Sequence, residues 1–346
     1  MFLISRIINT VLRNRILNSF GLHLYKWGYR KGFTSQTLEV CGITKDNYKD
    51  FLTDRDYTLG HPYNGAYSSI IDNKLWLPML LHNYKEYIPE YYFFIDEGGL
   101  LPLEDYTKTH SAVRLPNSAF FELLVEKHTL CLKHTHSSVG QGFMLVREDN
   151  GKFFVNNNEK TKDDLNQILG SLRQYIVTEF VKQHSYASSV CSTSLNTIRF
   201  LCVWDEDKKE FFLARSFHRF GCNGNVVDNI GSGNGMLAFV DVNKGILLSE
   251  GSVNFNHTGD KYMTKMVHPD QNIKLGGIEI PRFKEVKAKI LEIANANSYM
   301  RYMGFDVAIT EDSFKIIELN SLSSLDVTQQ REGFLKDSRI RKVLKK

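Results

Sequence analysis

Apolar residues fall into two rhythms along this chain, and the change of rhythm divides it. In the first part the spacing is helical: Ile4, Ile8, Val11, Leu12, Ile16 and Phe20 recur at three- to four-residue intervals, predicting an amphipathic helix within a mainly helical N-terminal region. Residues 68–81, broken by Pro78, predict a helix start and a proline-marked bend, and 91–95 a strand. From residue 128 alternation with period two takes over. It predicts strands over 128–133, 142–147, 152–155 and 174–181, with a polar helix over 162–173 before the last of these. Strands over 197–205, 210–220, 235–242 and 245–248 follow, joined by Gly, Asn and Asp turns. Residues 283–297 read as a helix with Val286, Ile290, Ile293 and Ala294 inward, ahead of a closing hairpin and a basic tail. The order predicts an α+β class: antiparallel sheet with helices laid on it, and a ligand between two sheet-containing lobes.

The closing hairpin carries the most chemistry. Strands over 304–310 and 315–320, with Glu311-Asp312-Ser313 as turn, put Phe305, Val307, Ile309, Ile317 and Leu319 on one face and Asp306, Glu318 and Asn320 on the other. With the turn centred near residue 312, Asp306 lies opposite Glu318, where like charges repel unless something positive lies between them. A hard divalent cation such as Mg²⁺ meets that need, because carboxylate and amide oxygens suit it and it keeps positions open for water and phosphates. A solvated strand face with hydrated charges is the alternative.

Composition narrows the setting. The chain has 346 residues, 42% apolar and 24% charged, with five cysteines and no C-x-x-C spacing, which reads as reduced core thiols in a cytoplasmic protein. Residues 1–38 hold Arg6, Arg13, Arg15, Lys26, Arg30 and Lys31 and no acid, so the remainder is slightly acidic. The arginines interrupt the apolar run, which excludes a membrane span and disfavours a signal peptide. That basic helix therefore packs on the protein's own core, or lies on an anionic membrane surface or a partner, peripheral to the inner face of the membrane. Nucleic acid is excluded, since no basic groove interleaved with aromatics appears. His134, His136 and His184 show no H-E-x-x-H or Cys/His ligand spacing, which excludes a zinc hydrolase. The expected organisation is a basic helical region (1–64), a small lobe (65–127), a subdomain with a phosphate flap (128–182) and a subdomain with the metal site (183–346).

Four further segments carry candidate chemistry. Lys133 ends a strand and opens a small-residue loop through Gly140 and Gly142 to a return strand, a flap whose backbone N–H groups can close over phosphates. It is not the helix-opening phosphate loop, because G-x-x-x-x-G-K-[ST] is absent. Glu179 sits near the end of an apolar strand, where backbone and carboxylate can meet an adenine or simply face an edge. Arg199 lies among Ile198, Phe200 and Leu201, and a charge there needs a structural carboxylate or a bound anion. Arg219-Phe220-Gly221 leads to Asp228-Asn229 and a glycine-rich turn.

Together these residues resemble the ATP-grasp superfamily, most closely its sugar-transfer-associated branch found with polysaccharide biosynthesis. The resemblance spans roughly residues 65–330. It rests on the order of Asn73-Lys74, Lys133 with its loop, Glu179-x-Val181, Ser194-x-Asn196-Thr197-x-Arg199, Arg219-x-Gly221 with Asp228-Asn229, His268-Pro269-Asp270, residues 276–281, Gly304-x-Asp306, and Glu318-x-Asn320 before Gln329. It implies an ATP-grasp fold with ATP and Mg²⁺ as cofactors. Lys74 and Lys133 would contact phosphates, residues 137–142, with Ser138, Gly140 and Gly142, would close on them, and Glu179 and Val181 would form the adenine hinge. Asp306, Glu318 and Asn320 would hold the metal, and Arg199 and Arg219 would stabilise the transferred phosphoryl group as catalytic residues. Three departures stand out. The loop reads Val139-Gly140-Gln141-Gly142 without a Gly-Gly pair, Phe305 precedes the metal Asp where D-alanine:D-alanine ligases have Arg, and the N-terminal lobe is short and basic.

The resemblance implies an ATP-dependent carboxylate–amine ligase that forms an amide through an acyl phosphate. Its carboxylate would be a sugar acid of capsule, O-antigen or exopolysaccharide, with residues 1–38 near the membrane or assembly enzymes. A kinase acting on a sugar hydroxyl and a non-catalytic nucleotide-binding scaffold are the alternatives.

Overall fold

The computed structural model describes residues 22–60, 63–97, 99–103, 113–137 and 140–344. The amphipathic helix expected over residues 4–20 and Ser138 of the flap lie outside the described residues. The N-terminal region that is described is helical, as expected, with helices Leu22–Lys31, Ser35–Val40 and Asp54–Gly60.

Two antiparallel sheets of seven strands each form the frame. The first comprises β1 (Tyr91–Asp96), β2 (Gly99–Pro102), β3 (Thr129–His134), β4 (Met144–Asp149), β5 (Lys152–Val155), β6 (Asn158–Lys160) and β7 (Tyr175–Glu179), in the order β2-β1-β7-β3-β4-β5-β6. Alternation puts Leu130, Leu132, Val146 and Val177 on one face, where they pack against Phe120, Phe121 and Leu124 of helix Asn117–Lys127 and Leu165 and Leu169 of helix Lys162–Ser171. The latter helix starts at a capping box in which Thr161 and Asp164 satisfy each other's backbone N–H groups. The opposite face, carrying Cys131, Lys133, Leu145 and Arg147, has no helix over it among the described residues and lines a cleft.

The second sheet comprises β8 (Ile198–Asp205), β9 (Glu210–Gly221), β10 (Asn234–Val240), β11 (Leu247–Phe255) and β12 (Lys261–Met263). A two-stranded ribbon, β13 (Val267–His268) with β14 (Ile273–Lys274), follows, and then β15 (Tyr302–Ile309) and β16 (Phe314–Asn320) complete the sheet in the order β12-β11-β10-β9-β8-β15-β16. Phe200, Phe220, Val307 and Ile316 face the main core with Phe283, Val286, Ile290, Ile293 and Ala294 of helix Phe283–Ala296. All four inward positions expected for that helix are buried. Residues 180–197, including helix Ser185–Val190, carry the chain from one sheet to the other.

The structure departs from the sequence reading in several places. Helices Asn117–Lys127 and Ser185–Val190, strands β2, β6 and β12 and the ribbon of β13 and β14 are among the elements additional to those expected. The first sheet crosses the boundary expected at 127/128, because β7 pairs with β1 on one edge and β3 on the other. Strand β11 runs on to Phe255, well beyond the expected end at residue 248. Gly251 belongs to the sheet because an added Cβ would lie 2.0 Å from the Leu237 carbonyl oxygen. The basic tail is a packed element: helix Ser338–Leu344 buries Ile340, Val343 and Leu344 in the main core and leaves Arg341 and Lys342 exposed. Ile340→Ala should therefore cost about 2–5 kcal/mol in urea denaturation, whereas a solvated tail would give less than about 0.5 kcal/mol.

Candidate active site

The uncovered face of the first sheet and one face of the second enclose a cleft of about 560 Å³, within the range of small-ligand sites. Lys74, Lys133, Glu179, Arg219, Asp306 and Glu318 all line it. The second-sheet face is set by register. Asp306 on β15 pairs with Glu318 on β16 and, on its other side, with Arg199 on β8, and Gly304 pairs with Asn320. Cross-strand partners share a face, so Asp306, Glu318 and Asn320 stand together as expected. Ile317 does not join the core. A bulge places Asp306 opposite Glu318 and Val307 opposite Ile316, which leaves Ile317 as the extra residue and turns it into the cleft.

The positive charge beside Asp306 is supplied by arginines. Arg199 grips the carboxylate with Nε and with Nη2, the latter at 3.0 Å, while Arg219 Nη2 stands 2.9 Å from Oδ2. Asp306 is 1% exposed, which opposes its charge, yet the two guanidiniums hold its carboxyl well below the usual carboxylate range. Glu318 is shifted the other way: burial, and then the neighbouring Asp306, raise it against the pull of Lys74. Arg199 also donates to the Ser323 hydroxyl at 2.9 Å and does not line the cleft. Its expected contact with a transferred phosphoryl group is therefore not offered, because its donors are engaged by Asp306 and Ser323. Arg219 does reach the cleft.

Across the cleft Lys133 projects from β3 with no ion pair or hydrogen bond from its ammonium among the described residues, and burial lowers its pKa. Lys74, in a short turn capped by Asn73, lies 3.3 Å from Glu318 and donates to the Ser137 carbonyl at 2.7 Å, joining the metal-candidate hairpin to the flap. In the flap, Gly140 and Gly142 both have φ of 73°, and a Cβ on Gly142 would meet the Tyr175 hydroxyl at 2.5 Å. Glu179 accepts the Glu90 backbone N–H at 3.1 Å and faces Lys315 at 4.0 Å. Phe180 and Val181 follow it along the wall of the cleft, where the chain leaves the first sheet.

Sequence reasoning quotes the bracing residues in its motifs but gives them no role, and it does not single out part of the lining. The Asp228 carboxylate accepts from the Thr197 N–H at 2.7 Å and lies 3.6 Å from Arg219, whose Nε also meets the Thr197 hydroxyl at 3.2 Å. Asn196 binds the Cys191 carbonyl at 2.6 Å and the Gln183 side chain at 3.1 Å, so the Ser-x-Asn-Thr segment is a brace for the cleft wall. Arg147 and Lys182 also line the cleft. The signal for Arg147 is its place on the strand paired with the one that carries Lys133. His268 is fully buried, with Nε2 2.9 Å from the Gly221 carbonyl oxygen, which makes it a loop-holding residue. All five cysteines are free and buried.

A hard cation fits the donor set. Asn320 Nδ2 is placed 3.4 Å from Asp306 Oδ2 and 3.5 Å from Glu318 Oε1, so three side chains converge on one spot, and turning the amide would present a third oxygen there. Among the described residues no group of three His, Cys, Asp or Glu side chains has metal-holding geometry, so any such site depends on the amide.

Two outcomes follow from the buried charges. Asp306→Ala leaves two buried guanidiniums without their counter-ion and should cost about 3–5 kcal/mol, with Arg199→Met in the same chain recovering part of the loss in a urea-denaturation cycle. Behind Arg219, His218 is fully buried, with Nδ1 facing the Arg219 carbonyl and Nε2 facing the Tyr186 hydroxyl at 2.8 Å. Burial lowers its pKa to about 3, so its contribution to stability is complete above the unfolded value of ~6.5 and is lost as pH falls towards 3. Relative to His218→Gln, the wild type should lose up to ~1.4 kcal/mol per pH unit in that window, measured by denaturation at pH 7 to 4.

A family model described as sugar-transfer associated ATP-grasp matches residues 54–343, wider at both ends than the span read from motifs. No curated protein matches the chain. Among solved structures, the ATP-grasp ligase PsnB complexed with a phosphomimetic variant of its minimal precursor, Mg and ADP is 12% identical with a TM-score of 0.39, covering 76% of this chain and 54% of that one. D-alanine–D-alanine ligase from Bacillus anthracis is 12% identical with a TM-score of 0.36, covering 80% and 65%. The biotin carboxylase domain of Hydrogenobacter thermophilus 2-oxoglutarate carboxylase, in complex with MgADP, ADP and bicarbonate, is 10% identical with a TM-score of 0.39, covering 80% and 45%. The chain spans about half the length of the PsnB chain it matches.

Proposed function

The chain belongs to the sugar-transfer associated ATP-grasp family, and from that premise we propose that it is an ATP-dependent carboxylate–amine ligase. The observation that carries the reading is a single cleft with Lys133, Lys74 and Arg219 set against Asp306, Glu318 and Asn320. Lysines and an arginine neutralise a triphosphate. The opposing oxygens would hold Mg²⁺, which supplies charge neutralisation between the phosphates when bound. Adenine would lie along Glu179–Val181, where Phe180 and Val181 give apolar wall and exposed backbone, with the flap glycines over the phosphates.

A substrate carboxylate oxygen attacks the γ-phosphorus, the bond to the β-phosphate oxygen breaks, and ADP leaves. The amine then attacks the acyl carbon of the acyl phosphate, expels inorganic phosphate, and gives up a proton to leave an amide. Neither step needs a covalent bond to the enzyme, only positioning and stabilised charge. Arg219 is the side chain placed to meet the phosphoryl oxygens, and Arg199 keeps Asp306 in place for it. The family's association with sugar transfer supports a sugar acid as the carboxylate, within cell-surface polysaccharide assembly. The acid-free basic stretch over 1–38 would hold the enzyme at an anionic membrane surface or against an assembly partner, in a cytoplasmic setting. No helix among the described residues is long and apolar enough to cross a membrane.

Lys133→Ala and Glu318→Ala should each abolish ADP release while leaving the circular dichroism spectrum unchanged; normal turnover in either refutes its assignment. Mass spectrometry of the product should show an amide. A phosphorylated sugar would make the enzyme a kinase, and ATP binding without ADP release against panels of uronic acids and amines would make it a scaffold.

A further inference from the structure

The sheet face that carries Asp306 and Arg219 continues beyond the cleft. Register places Leu237 of β10 beside Arg219, and Ser252 of β11 beside Leu237, so Ser252 and Asn254 share that face. At ~4.8 Å per strand the cluster around Ser252 lies about 10 Å from Arg219. The segment around helix Leu325–Thr328 covers it: Val327 packs with Phe217, Leu237 and Phe239, and the Gln330 side chain donates to the Ser252 hydroxyl at 3.2 Å.

Two carbonyl oxygens are buried here without a partner, Oδ1 of Asn254 and Oε1 of Gln330, on residues that are 7% and 8% exposed. Both assignments as oxygen are fixed by the network. Asn254 Nδ2 donates to the Asp260 carboxylate at 3.2 Å, an acceptor only. The Ser252 hydroxyl gives its hydrogen to the Lys261 carbonyl at 3.2 Å, so towards Gln330 it can only accept. Turning either amide would lose a bond and bury an unpartnered donor in place of the acceptor.

The surroundings add negative charge. Asp326 accepts from Gln36 at 2.7 Å and from the Val327 N–H at 3.0 Å, and Asp54 accepts from Thr34 and Thr37. Neither Asp326 nor Asp54 is ion-paired with a lysine or arginine among the described residues. Buried polar groups are normally satisfied, and unpartnered oxygens beside carboxylates call for a positive centre rather than a further acceptor.

We propose that Asn254, Asp260, Asp326 and Gln330 form a second site for a hard divalent cation, separate from the cleft, bound through two amide oxygens and two carboxylates. The oxygen-only donor set matches Ca²⁺ or Mg²⁺, not a metal that prefers nitrogen or sulfur. The ion would fasten three parts of the chain together: the N-terminal helix that supplies Gln36, the hairpin of β11 and β12, and the C-terminal segment.

The test uses the full chain freed of metal with chelator and then given CaCl₂ or MgCl₂ alone, without nucleotide. The ion should raise the Tm by about 2–4 °C, and terbium luminescence at 25 °C should report the same binding. Asn254→Leu, Gln330→Met and Asp260→Asn should each remove the shift, while Glu318→Gln in the cleft keeps it. No shift in the wild type overturns the proposal, as does a shift that survives all three changes or is lost with Glu318→Gln. Should Asn254→Leu fail to fold, Gln330→Met and Asp260→Asn test the site in its place. Cation-independent stabilisation by the two apolar replacements would mark the oxygens as unoccupied defects and likewise reject the site.

Discussion

A carboxylate removed from water and clasped by two guanidiniums is the constraint on which the centre of this molecule depends. Asp306 can remain charged at 1% exposure only because Arg199 and Arg219 sit against it, and those arginines can be buried only because Asp306 is there. Each ion would be costly alone, and removal of one partner is far worse than replacement of the set by apolar residues. The arrangement also fixes register, since Arg199 reaches Asp306 straight across the β8–β15 ladder. A one-residue slip would carry every charge to the apolar face. Ser323, Thr197 and Asp228 then hold the two guanidiniums in orientation.

The division of labour between the sheets follows from what covers each face. In both, the longer helices pack on the apolar side, and the part of the opposite side that bears the charges is turned to the cleft. Cationic groups come from one sheet and from the short turn that supplies Lys74. The second sheet provides carboxylates, an amide and two arginines, of which Arg219 reaches the cleft. Lys74 touches both parties, Glu318 on the hairpin and Ser137 on the flap. Its ammonium therefore ties the hairpin to the flap across the cleft.

How much of this is legible in the sequence depends on whether local pattern or distant contact decides the structure. Period-two alternation locates the closing hairpin and the pairing of Asp306 with Glu318, because hairpin register is a local matter. Helix Phe283–Ala296 is legible through its buried stripe. Ile317 falls on the wrong face in the alternation because a bulge is invisible to it. The strand expected over 245–248 stops short of Gly251, because composition cannot show that a neighbouring backbone approaches it. The positive charge beside Asp306 points to a metal when only the hairpin is in view. The two arginines lie about 90 to 110 residues away in sequence, and cross-strand geometry alone brings them there. The C-terminal helix looks like a solvated tail because its basic residues draw attention from the three apolar ones that bury.

The Leu52 backbone is satisfied at both its N–H and its C=O by the Gln329 side chain, at 2.8 and 3.1 Å, and Asp72 receives the backbone and hydroxyl of Ser321 at 2.6 Å each. Start and end of the described chain thus finish each other's hydrogen bonding. During vectorial synthesis residues 52 and 72 cannot find these partners until residues 329 and 321 have left the ribosome. The segment that bears Lys74 therefore waits, its docking surface unmade, while the 249 residues that separate Asp72 from Ser321 are added. A nascent chain of this kind cannot acquire a working cleft domain by domain; competence arrives in one late, long-range closure.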